Sequence, residues 1–194
     1  MIFVIKINGV GILMKKLLPV IILTIFVLSI NGCLVPEKIS YTIKLETPTS
    51  GLVTMQFYNI KSNASTDEEF NEDKENLFNY ITKSDKLLAQ LKGEGKEVLT
   101  RDLYLDNEKL NGKAEYRFND IEKVEGIRFE DGFYYLTLAL DDSVISTNGQ
   151  VIKSRDYKRI LWDKSMKTLK FEMYSSGFSD AEFRALAPYY NTKK

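Results

Sequence analysis

Two pairs of neighbouring carboxylates, Glu130-Asp131 and Asp141-Asp142, are the side chains whose type suits acid–base chemistry. Paired acids hydrolyse a glycosidic bond only when they converge across it at a defined separation. Adjacent residues on a strand point to opposite faces, and both pairs abut turns, where acids are common. The carboxylate-based hydrolase is therefore the remote reading. Histidine is absent, which removes the commonest general base and the commonest metal ligand and excludes Ser-His-Asp, Cys-His and His-based zinc sites. The acidic run from Asp67 to Glu75 lacks the Asp/Asn alternation and the glycine of a calcium loop, and reads as a solvated helix face. No cofactor or metal site is expected.

The remaining chemistry belongs to Cys33, the single cysteine. Ahead of it, Lys15 and Lys16 form a positive n-region, Leu17 to Ile30 form an almost unbroken apolar h-region, and Gly32 stands just before the cysteine. This is the order of a secretion signal. A membrane-spanning helix is the competing reading. The apolar run is 14 residues, short of the roughly 20 that a bilayer core needs. Starting at Met1 rather than Met14 lengthens it but puts Lys15 and Lys16 in its middle, at about 2.5–3.5 kcal/mol each. The sequence leaves open which methionine starts translation, and residues 1–13 read as an upstream start or a dispensable leader.

Ile30-Asn31-Gly32-Cys33 resembles the lipobox of bacterial lipoproteins. The resemblance implies a diacylglyceryl group on the Cys33 sulfur, cleavage before Cys33 and acylation of the new amino terminus. Each buried methylene contributes about 0.8 kcal/mol, so two or three chains hold firmly where one binds reversibly. The expected protein is exported and anchored in the cell envelope through its N-terminal lipid. The expected organisation is 1–32 as leader and signal peptide, 33–40 as tether, 41–190 as one domain and 191–194 as tail. With Cys33 acylated, neither a disulfide framework nor a thiol nucleophile is left.

Removing 32 of the 194 residues leaves 162, the size of one domain. The removed segment carries three of the 27 basic residues and no acid, so 24 bases face 27 acids and the net charge is about −3. Nucleic acid, which demands a basic face, is not an expected partner.

Along the mature chain, Tyr41–Thr47 and Leu52–Ile60 alternate in polarity around Pro48 and Gly51 and predict a hairpin. Overlapping capping boxes, Ser65 with Glu68 and Thr66 with Glu69, open a helix. Phe70, Leu77, Phe78, Ile81, Leu88 and Leu91 then recur at helical spacing, predicting one long helix that ends at Gly93. A second hairpin is predicted from Lys96–Asp106 and Lys113–Phe118 around Asn111-Gly112. Strands at 127–130 and 133–140 flank Asp131-Gly132, and the second reads as central. Two further β-turn-β units follow, 143–147 with 150–153 and 158–162 with 168–174. Ser179 to Glu182 is a capping box for a short helix, Asp180 to Ala187, stopped by Pro188. The predicted class is α+β: an antiparallel sheet, hairpin plus meander, packed by one long helix, with a short C-terminal helix.

The runs Lys113–Val124, Val144–Gly149 and Ile160–Lys167 are similar to the LppM-type domain of bacterial lipoproteins. There a strand ending in phenylalanine leads into a short helix, and an Asn-Gly turn precedes a strand bearing tryptophan. The resemblance implies a lipid-anchored α+β module and brings no catalytic residues. This chain departs from it in showing no carboxy-terminal transmembrane segment.

Binding is accordingly the leading function: a membrane-anchored envelope lipoprotein acting as a binding or protein-interaction module, with an envelope protein as the possible partner. Tyr134, Tyr135, Tyr157, Trp162, Tyr189 and Tyr190 are the candidate contact residues, since such side chains join apolar area to a polar tip. The same residues also suit a core. The alternative is a carrier or sensor of an amphiphilic ligand held between helix and sheet.

Overall fold

The computed structural model describes residues 34–190. The leader, Cys33 and the 191–194 tail lie outside the described residues. Within them the chain is dominated by antiparallel strands, and the expected sheet under one long helix is not what forms.

Six strands make the main sheet, in the order β5-β6-β3-β2-β12-β9. They are β2 (Lys38–Leu45), β3 (Gly51–Tyr58), β5 (Lys96–Asp106), β6 (Lys109–Phe118), β9 (Val144–Thr147) and β12 (Thr168–Tyr174). A four-stranded sheet, in the order β10-β11-β8-β7, combines β7 (Arg128–Glu130), β8 (Phe133–Leu138), β10 (Gln150–Lys153) and β11 (Lys158–Asp163). Between the sheets, Tyr41, Ile43, Val53, Met55, Tyr116 and Phe118 of the first meet Tyr134, Leu136, Leu138, Ile160 and Trp162 of the second. Ile121, Val124 and Ile127 close this core from the loop between β6 and β7.

The two expected β-turn-β units are corners between sheets, not hairpins. β9 pairs with β12 while β10 pairs with β11, so the chain changes sheet at Asn148-Gly149. Asn148 Oδ1 accepts from Trp162 Nε1 at 2.9 Å and from the Lys170 amide at 2.7 Å, stitching one sheet to the other. A Cβ on Gly149 would lie 2.6 Å from Trp162 Nε1 and 2.7 Å from the Leu161 carbonyl oxygen, so only glycine fits the corner.

The long helix is corrected to two short ones. α1 (Asp67–Glu75) has the Thr66/Glu69 capping box, continues through a π-helical turn at Asn76–Ile81, and gives way before α2 (Asp85–Gly93). Two side chains explain the break. Thr82 Oγ1 bonds back to the Phe78 carbonyl at 2.6 Å, and Ser84, extended at ψ 120°, accepts from the Leu87 amide as the N-cap of a new helix. Arg101 then donates to the carbonyls of Ile81 and Ser84, both at 3.0 Å, and ties the break to β5. The stripe still faces inward: Phe70 and Leu77 join Ile60, Ala64, Leu110 and Leu186 in a second core. Asp73 departs from the solvated face, being buried and accepting from Ser62 Oγ at 2.6 Å.

The second hairpin turns at Asn107-Glu108, with φ of 49° and 62°, and not at Asn111-Gly112, which lies inside β6. The C-terminal helix does not form either. Phe183 makes a single helical bond back to Ser179, and Arg184–Ala185 become β13, paired to β4 (Lys61–Ser62). Arg184 reaches Asp67 at 2.8 Å and the Thr66 carbonyl at 3.0 Å, so this segment is spent on fastening α1. β4 pairs on its other edge with β1 (Leu34–Val35). Residues 34–40 thus lie within strands or directly between them.

Candidate functional site

One face of the six-stranded sheet has the two cores against it, and its other face carries alternate residues of the same strands. On β2, Ile39, Tyr41 and Ile43 turn inward while Lys38, Ser40, Thr42 and Lys44 turn out. On β3 the outward set is Leu52, Thr54, Gln56 and Tyr58. Among the described residues no helix or second sheet covers this outward face.

Strand register places three tyrosines in one row across it. Tyr174 and Tyr58 are both paired with Lys38, on β12 and β3 respectively. Phe57 pairs with Gly112, so Asn111 continues the row next to Tyr58, and Tyr104 of β5 pairs with Asn111. Tyr174 is 53% exposed and Tyr104 36%. Burial and then the neighbouring Tyr58 raise the Tyr104 phenol above its ordinary value. Tyr58 donates to Gln56 Oε1 at 2.5 Å, two residues back along β3. Ion pairs are closed within the face: Lys38 with Glu172 at 2.7 Å and Lys113 with Glu115 at 3.1 Å.

The row ends beside an open concavity of about 550 Å³ lined by Glu37, Lys109, Tyr174, Ser175, Phe178 and Asp180. Its charged groups converge on Asn59, which is 4% exposed and held at φ 50°. Asn59 Nδ2 donates to Glu37 Oε2 at 2.9 Å and to Asp180 Oδ1 at 3.1 Å. Lys109 pairs with Glu37 at 3.2 Å and Lys61 with Asp180 at 2.8 Å. The Asn59 amide, helped by Lys109, holds the Glu37 carboxyl below the usual carboxylate range. Lys61, then Asn59, does the same for Asp180. Both are ionised acceptors at neutral pH, whereas a general acid needs its proton retained by a raised pKa. The cluster clasps the entry of the chain at Glu37 to the loop at Asp180. The Ser175 hydroxyl, enclosed beside it, has no protein partner among the described residues.

The acids singled out in the sequence do not converge. Glu130 Oε2 accepts from Tyr135 at 3.0 Å, and Asp142 Oδ2 accepts from the Ala139 amide at 2.8 Å. Asp141 and Asp142 line a second open groove, of about 540 Å³, with Lys153 and Lys158. Among the described residues no three His, Cys, Asp or Glu side chains group as a metal site.

The six aromatic candidates scatter. Trp162 and Tyr134 are corrected from contact surface to core: both are almost wholly buried, and Tyr134 donates to the Pro48 carbonyl at 2.9 Å. Tyr135 and Tyr157 flank Arg159, each ring centre 4.7 Å from its guanidinium, on the outer side of the four-stranded sheet. Tyr189 stands edge-on to Phe70, with Lys74 4.5 Å from its ring. Tyr190 donates to the Leu103 carbonyl at 2.6 Å. The tyrosines that do share a face, at 58, 104 and 174, were not singled out, since only the pairing of strands distant in sequence aligns them.

The interface between helices and sheet, where an amphiphile would sit, is filled by Phe57, Ile60, Phe70, Leu77, Leu103 and Leu110. No helix among the described residues is long and apolar enough to cross a membrane. Comparison with protein-family models, with curated proteins and with solved structures gives no match, so the lipobox and LppM-type likenesses rest on the residues quoted for them.

Proposed function

We propose that this chain is an exported, lipid-anchored module of the cell envelope that binds a partner through the open face of its six-stranded sheet. The observation that carries the reading is that face itself. It is a broad surface built on six hydrogen-bonded strands, and a strand scaffold holds contact groups more rigidly than loops do. Exposed tyrosines at 104 and 174 supply amphipathic area of the kind interfaces use. Binding takes precedence over chemistry because Glu37 and Asp180, the carboxylates that converge on Asn59, are neutralised by two lysines and a shared amide.

The anchor follows from the charged, apolar and small-residue order ahead of Cys33. Leu34 is already in β1, so acyl chains on Cys33 would hold the body at the headgroups with no slack between. The test is mass analysis of the amino-terminal peptide from protein extracted out of its own envelope. Cys33 as first residue with added acyl mass is expected, together with a Cys33→Ser variant that leaves the detergent phase. An unmodified Cys33 thiol in mature protein would refute the anchor.

A further inference from the structure

We propose that an aromatic pair, Phe178 and Phe183, docks the domain against the bilayer surface that holds its lipid anchor, an assignment that rests on acylation of Cys33. The two rings stand edge-on with centroids 5.6 Å apart, and both are half-exposed. They belong to neither of the two cores. Strand register sets them at the end of the three-stranded sheet where the anchored chain enters. Leu34 of β1 and Arg184 of β13 pair with Ser62 from opposite sides of β4, so β1 and β13 run parallel. One step toward the bond that joins Leu34 to Cys33, the row continues as Asn63 and Phe183. Phe183 thus stands two strand spacings, about 9.6 Å, from the column of β1.

The loop that carries the pair is fastened to the same entry. Asn59 joins Glu37, two residues beyond β1, to Asp180, and Lys61 of β4 reaches both the carboxylate and the carbonyl of Asp180 at 2.8 Å. The Ser175 amide donates to the Glu37 carbonyl at 3.1 Å. The Asn59 clasp therefore fixes where the rings stand relative to the entering chain. Tyr174, 53% exposed, stands with Phe178 at the rim of the concavity. Aromatic rings favour the headgroup level of a bilayer. A domain already held by acyl chains meets that surface at high effective concentration, so a small apolar contact suffices to orient it. The charges nearby select the surface. Lys61 and Arg184 are paired with Asp180 and Asp67, and Lys109 with Glu37, while Glu68, Glu69 and Glu182 have no ion pair among the described residues. This net acidity keeps the rings at headgroup depth and favours zwitterionic over anionic lipid.

The test uses the mature lipidated chain, extracted from its own envelope and reconstituted into phosphatidylcholine vesicles whose acyl chains carry bromine near the headgroup. The single native tryptophan, Trp162, is almost wholly buried and gives the background emission. Phe183→Trp and, separately, Phe178→Trp should add emission that the brominated vesicles quench by at least about twofold, because the added indole lies at the interface. Thr49→Trp is the control, since it lies past the far end of β2, whose eight residues span about 24 Å. Its emission should not be quenched. Adding phosphatidylglycerol should weaken the quenching at 183, and stronger quenching there overturns the assignment of a zwitterionic surface. Vesicle flotation separates the docking from the anchor. A chain that floats while the indoles at 178 and 183 are quenched no more than the one at 49 overturns the docking and leaves the anchor standing. A chain that does not float overturns the anchor and the docking with it.

Discussion

The Lys38 ammonium lies 4.5 Å from the centre of the Tyr58 ring, its partner across β2 and β3. The same ammonium pairs with Glu172 on the opposite neighbouring strand, and that pairing is the main cause of its raised pKa. One charged group thereby joins three strands on the outward face. The arrangement is partly solvated, so it contributes little to stability, about 0.2–1 kcal/mol for the ion pair and a similar amount for the ring contact. Lys38→Ala should accordingly lower stability by no more than about 2 kcal/mol in urea unfolding. A larger loss would mean that the face is a structural surface and not one free to bind.

At the corner between sheets, Gly149 has no room for a methyl group against Trp162 and the Leu161 carbonyl. Gly149→Ala should destabilise by about 1–3 kcal/mol through overpacking. The Trp162 fluorescence should shift as the ring is displaced. An unchanged melting temperature would contradict the corner.

The helical segment has its own core, and Leu77 is buried within it. Leu77→Ala should cost about 2–5 kcal/mol. Leu99, 47% exposed on β5, should change stability by less than about 0.5 kcal/mol when replaced by alanine. Equal effects at the two positions would be inconsistent with the helices packing as described.

Glu125 stands at φ 50° next to the core plug, where burial raises its carboxyl above the usual range while Lys96 and the Tyr41 hydroxyl pull it back. A raised folded value means that the folded state holds the proton more tightly than the unfolded chain. Its stabilising contribution is complete below the unfolded value of about 4.3 and is lost as pH rises through the folded value. Glu125→Gln should therefore gain in melting temperature over the parent as pH increases from about 4 to 7. A difference that is flat over this range would show that the carboxyl is not confined. Glu37 and Asp180 act with the opposite sign, since their lowered values give stability above the unfolded pKa that is lost on acidification. Their replacement should not produce the Glu125 trend.

Local signals in the sequence reached some elements and not others. The hairpin around Pro48 and Gly51 and the turn at Asp131-Gly132 were legible, because turn residues there sit between alternating runs. The Asn107-Glu108 turn was hidden, since Glu108 adopts a left-handed backbone that its residue type does not announce. At Asn148-Gly149 the dipeptide for a hairpin was present, but the contacts of Trp162 and Lys170 with Asn148 make it a crossing between sheets. The helical stripe shows in the sequence which face turns inward but not where the helix breaks. The apolar period runs on through Ser84, whose capping competes only locally. Neither the Asn59 clasp nor the tyrosine row could be read by spacing. Asn59 and Asp180 are 121 residues apart, and Tyr58, Tyr104 and Tyr174 align only once the strand order is known.

The open face is tested most directly by placing a photo-crosslinking residue at 104, at 174 and, on the outer side of the four-stranded sheet, at 137, in the full chain within its own envelope. Irradiation should give a defined adduct from 104 and 174 and none from 137. Adducts from 137 with none from 104 or 174 would contradict the account.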